Sequence, residues 1–196
     1  MTSAAAEATA GEPPWEPPLA GPEAAQLLGA IDRQRWTLRW KADGLGEDGL
    51  RHTVGVSALT LGGLLHHLAL VEDASVGGKL AGRSLPDEWA EADWDEDPDW
   101  EITAAATMPA AELYRRYDAA VERSRALLGE VLADGDLDRR AAMSDQVGEQ
   151  VSARRVLTDL LEEYARHVGH ADLLRESVDG RVGEDPPEDW RPARFD

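Results

Sequence analysis

Four stretches of this 196-residue chain repeat apolar side chains at spacings of three and four, the signature of amphipathic helices. After Pro22, the residues Leu27, Leu28, Ile31, Leu38 and Trp40 recur at helical spacing, and Gly44 and Gly46 mark a stop. Leu61, Leu64, Leu65, Leu68 and Val71 form a second stripe behind Thr60, a residue suited to cap a helix start. A third follows Pro109 with Leu113, Tyr117, Val121, Leu128 and Val131, and ends at Asp134-Gly135. The fourth starts near Ser152 and carries Val156, Leu157, Leu160, Tyr164, Ala171 and Leu174 before Gly180. No segment alternates for long enough to predict a sheet. The expectation is an all-α fold, a four-helix bundle over residues 21–181.

The flanks read differently. Residues 1–20, rich in Ala, Pro and Glu, have the composition of a flexible arm, with Trp15 able to dock on the body. Residues 182–196 form a Pro-rich tail. Between the second and third helices, residues 77–107 make a long acidic connection carrying Trp89, Trp94 and Trp100. A connection of that length in a compact domain either serves function or wraps the body. The plainer expectation has the three Trp cover apolar surface; the alternative has them line a cleft or a homodimer contact.

Charge and composition exclude several partners. With 39 acidic against 20 basic side chains, the net charge is −19, which repels phosphate backbones and anionic headgroups. Neither nucleic acid nor membrane is expected as a partner. The longest uncharged stretch, residues 53–71, contains two His and is too mixed to span a bilayer. The N-terminus has no basic segment followed by an apolar one, so a cytoplasmic location is expected. There is no Cys, which rules out disulfides, thiolate ligands and a Cys nucleophile. A metal site must therefore use His and carboxylates, and any thiol must come from outside.

Facing directions on the helices pick out candidates. His67 lies three residues after Leu64, at the flank of the second stripe, whereas His66 is predicted to face solvent. Glu163 and His167 fall three and seven residues after Leu160, as an i, i+4 pair on the inner face of the fourth helix. Glu162 and Arg166 fall on its outer face. An inward Glu beside an inward His calls for a counter-cation, and one divalent metal held by His67, Glu163 and His167 would satisfy both. Two His and one carboxylate leave coordination positions open, the pattern of a catalytic centre. Singly the pieces are weak, since a lone His on an apolar face is more often a satisfied core residue. His170, Arg166 and Asp172 stand close enough in sequence to support the ligands, although helical Arg and Asp usually form solvated ion pairs.

The segments TLGGLLHHLALVED and RRVLTDLLEEYARHVGHADLLRESVDG together resemble the DinB-like (YfiT-like) superfamily of metal-dependent enzymes. The ARHVGHADLLRE portion looks like an actinobacterial branch of it, and the likeness extends over roughly residues 15–181. It implies a four-helix bundle with a three-residue metal site. Many members use one His on the second helix and a His-x3-His pair on the fourth; Glu163 departs from that pattern. The resulting Glu-x3-His is similar to that of mycothiol-dependent maleylpyruvate isomerase. The superfamily includes mycothiol and bacillithiol S-transferases, so the resemblance implies a low-molecular-weight thiol such as mycothiol as co-substrate. It also implies a divalent metal (zinc first, nickel second), a small electrophile as substrate and a homodimer. The expected function is metal-dependent thiol S-transfer or isomerisation. The alternatives are a metal hydrolase using bound water, or a non-catalytic stress-response bundle that binds a metal or small ligand.

Overall fold

The computed structural model describes residues 13, 15–90, 92, 94–144 and 148–193. Most of the expected arm, residues 1–12 and 14, lies outside them. The four expected helices are α1 (Glu23–Ala42), α3 (Leu61–Glu72), α5 (Ala110–Val131) and α6 (Ala153–Asp179). The connections add two short helices, α2 (Glu47–Leu50) and α4 (Trp100–Thr103). In the bundle α1 packs chiefly along α6, while α3 lies against α5 and α6. Beyond Glu72 the chain continues as a wider π-helical segment, Asp73–Leu80.

Local chemistry fixes the two helices that matter most. The Thr60 hydroxyl accepts the Gly63 N–H at 2.9 Å at the start of α3, and Ser152 accepts that of Arg155 at 3.3 Å at the start of α6. Gly180 ends α6 with φ at +78°, a conformation that favours glycine over residues with a Cβ. The apolar stripes meet inside: Ile31, Leu38, Leu64, Leu65, Leu68, Leu113, Tyr117, Leu157, Leu160 and Tyr164 are all buried.

The interior also holds a charged network that the stripes did not announce. Nε and Nη2 of Arg35 donate to the two oxygens of Glu72, each at 2.7 Å, and the Tyr164 hydroxyl donates to the same carboxylate at 2.7 Å. The Tyr117 hydroxyl sits 3.2 Å from that of Tyr164. A short hairpin, β1 (Arg140–Ser144) paired antiparallel with β2 (Gln150–Ser152), is added to the all-α bundle. Its strands are too short for alternation to register, and it serves to deliver the chain to the Ser152 cap.

The flanks fold back on α1. Trp15 is buried, with the Arg33 guanidinium 5.6 Å from its ring centre. In the tail, Lys41 donates to the Gly183 carbonyl at 2.6 Å, and Trp190 meets Trp36 edge-on at 5.7 Å. The acidic connection covers α3 from outside the bundle. Trp89 is buried beside Ala69 and Ala120 and donates to Asp73 at 2.9 Å, while Trp94 stays partly exposed and stacks edge-on against Trp100. Among the described residues no helix is long and apolar enough to cross a membrane.

Candidate metal centre

His67 comes from the second turn of α3, and Glu163 and His167 from successive turns of α6. The structure brings these three together: one ligand atom from each lies within 4.8 Å of the other two. Glu163 Oε2 is 3.9 Å from His67 Nε2 and 3.3 Å from His167 Nε2. Tetrahedral zinc with bonds near 2.1 Å sets its ligand atoms about 3.4 Å apart, a spacing that the two distances from Glu163 bracket. His67 Nε2 is buried with no hydrogen-bond partner. An orphaned buried nitrogen costs roughly 1–3 kcal/mol, and a cation at this position would remove that cost. Two imidazoles and a carboxylate suit zinc and its borderline neighbours. The residues present fit the ion.

The cluster lies at the lip of the bundle. The Glu163 side chain, expected on the inner face, is 42% exposed, so one side of the cluster opens to solvent. Partial burial, followed by the nearby His67, holds His167 below the ordinary histidine range. That shift favours the neutral imidazole, the form a metal requires.

Of the two adjacent histidines, His67 lies where its facing predicted and His66 does not. His66 is fully buried, not solvated. Nothing from Leu61 to Val71 is charged, and a helix apolar all round is covered all round. The connection supplies that cover: the His66 ring lies 5.0 Å from the Trp89 ring and 5.6 Å from the Trp100 ring. Its Nδ1 is 2.7 Å from the Glu101 carbonyl, and its Nε2 is 3.4 Å from Arg116.

Of the three supporting candidates, His170 reaches the cluster, with its Nδ1 3.4 Å from His167 Nδ1. Arg166 points outward and pairs with Glu162 at 2.8 Å. Asp172 pairs with the buried Lys41 at 2.7 Å. His52, in the connection before α3, is exposed and faces Ser177. Sequence reasoning missed Glu101, whose Oε1 lies 3.1 Å from His67 Nδ1. That hydrogen bond is the main reason its carboxyl is held below the usual range. Its only sequence signal is a carboxylate beside Trp100 in a connection too long to be idle.

A family model described as mycothiol-S-transferase matches residues 26–180, a span that includes all three clustered residues and Glu101. No curated protein matches the chain.

Proposed function

The chain belongs to the mycothiol-S-transferase family, and on that footing we propose that it joins the sulfur of mycothiol to a small electrophile at the His67–Glu163–His167 cluster. The observation that carries this reading is the buried, partnerless His67 Nε2 facing a carboxylate and a second imidazole. A divalent cation held there supplies Lewis acidity, lowering the pKa of a thiol that binds it. A chain without Cys has no sulfur nucleophile of its own, so the thiol must enter with the co-substrate.

The residues divide the work between holding and admitting. His67 and His167 present imidazole nitrogens, and Glu163 contributes the single negative charge that would partly offset a dication. His170, hydrogen-bonded through Nδ1 to His167 Nδ1, fixes that ring so that Nε2 faces the cluster. The exposed flank of Glu163 leaves a path for the thiol and the electrophile, and for the thiol proton to reach water. The new bond joins sulfur to the electrophilic carbon while a leaving group departs or a double bond takes up the proton. The same reading expects zinc as the ion, a homodimer, and the cytoplasm as the place where the co-substrate is met.

The test is turnover. Purified protein is incubated with mycothiol and a panel of small electrophiles, chlorodinitrobenzene among them, with and without zinc. The expected result is an S-conjugate, read by mass spectrometry, whose formation needs both thiol and metal; chelation should slow it on the order of a hundredfold or more. Turnover that persists without thiol would favour a hydrolase. Metal-loaded protein inert toward every thiol and electrophile would favour a ligand-binding bundle.

A further inference from the structure

Building on the metal-binding reading of this cluster, we propose that Glu101 is the positioning residue for His67, and that His66 holds Glu101 in place. Three contacts carry it. His67 Nδ1 lies 3.1 Å from Glu101 Oε1, and a carboxylate only accepts, so Nδ1 is the protonated nitrogen. In the neutral ring Nε2 then keeps its lone pair, and Nε2 is the buried atom that faces Glu163 and His167. The other carboxylate oxygen, Glu101 Oε2, is buried with no hydrogen-bond partner, so among the described residues no second donor competes with His67.

The neighbouring histidine fixes the other end of the same residue. Arg116 can only donate, so at 3.4 Å it makes His66 Nε2 the acceptor. His66 Nδ1 therefore carries the proton and donates to the Glu101 carbonyl at 2.7 Å. The ring is clamped between Trp89 and Trp100, which leaves it little freedom to turn. Two adjacent histidines thus grip one residue of the acidic connection, one by its backbone and one by its carboxylate. Covering α3 with that connection is what places a carboxylate behind a ligand. Carboxylates behind metal-binding imidazoles commonly set ring orientation and raise ligand basicity, and losing one typically weakens metal binding ten- to a hundredfold.

Two measurements test this. In metal-free protein at roughly pH 8, above the ordinary histidine range, nitrogen NMR should find His67 protonated on Nδ1. Glu101→Ala should release it to the Nε2-protonated form that free imidazoles prefer. A wild-type His67 already protonated on Nε2 would overturn the proposal. Zinc titration by chelator competition should show Glu101→Ala weaker by about ten- to a hundredfold, with Glu101→Gln losing less because its amide oxygen still accepts. His66→Phe, which keeps a ring between the two Trp, should weaken zinc about tenfold in wild type and add nothing in the Glu101→Ala background. Zinc affinity unchanged in Glu101→Ala would overturn the proposal, and an equal loss from His66→Phe in both backgrounds would overturn the route through His66. The Glu101 arm decides the matter if the His66 variant does not fold. Wild-type protein that takes up no zinc would sink the metal reading instead, and the tautomer result would still decide the positioning.

Discussion

Arg35 and Glu72 close a bidentate ion pair in the dry centre of the bundle, 2.7 Å from each donating nitrogen to its oxygen. Glu72 is fully buried and Arg35 nearly so, and the Tyr164 hydroxyl takes up a further lone pair of the same carboxylate. The pair ties α1 to the end of α3, where the helix widens into its π segment. Removing one partner strands the other charge without solvent. Arg35→Leu is therefore expected to cost roughly 3–5 kcal/mol in urea denaturation, while replacing both partners with apolar residues should recover much of that loss. A single variant within about 1 kcal/mol of wild type would show the pair to be solvated in solution.

The chain's three tyrosines give a pH prediction. Burial pushes Tyr114 up to about 12, and it pushes Tyr117 and Tyr164 up as well. A folded-state pKa raised above the unfolded value gives stability that is complete below about 10 and is lost as pH rises beyond it. Tyrosinate absorbance should therefore not rise gradually near pH 10. It should appear in one steep step above pH 10, together with loss of helical circular dichroism. A separate tyrosine titration near its ordinary pKa, with the helices intact, would contradict this burial.

The caps offer a smaller and cleaner test. Thr60→Ala removes the acceptor for the Gly63 N–H, and Ser152→Ala the one for Arg155. Each should cost about 1 kcal/mol by chemical denaturation, with the Thr60 loss the larger because its bond is shorter. An effect below a few tenths of a kcal/mol at Thr60 would mean that water replaces the hydroxyl freely.

These caps were legible in the sequence because a cap is local: Thr60 precedes its stripe and Ser152 precedes its own. The helices were legible for the same reason, since Leu157, Leu160 and Tyr164 report one face without knowledge of any partner. The Glu163–His167 pair followed from the spacing within α6, and His67 from its place on the flank of the α3 stripe. What failed was any inference that needed the far side of a helix. His66 looked outward only while nothing was known to cover α3, and the cover comes from Trp89 and Trp100, more than twenty residues downstream. Glu101 and Arg35 were invisible for a related reason. A carboxylate in an acidic connection and an arginine among many others carry no periodic signal, and only the tertiary fold gives them partners.

The most direct test of the account is crystallographic. Crystals grown with zinc and measured on both sides of the zinc absorption edge should show one strong anomalous peak at the cluster. It should lie about 2.0–2.2 Å from His67 Nε2, His167 Nε2 and a Glu163 carboxylate oxygen, and Glu101 should remain on His67 Nδ1. A peak bound by other residues, or zinc-grown crystals in which His67 turns away and no peak appears at the cluster, would contradict it.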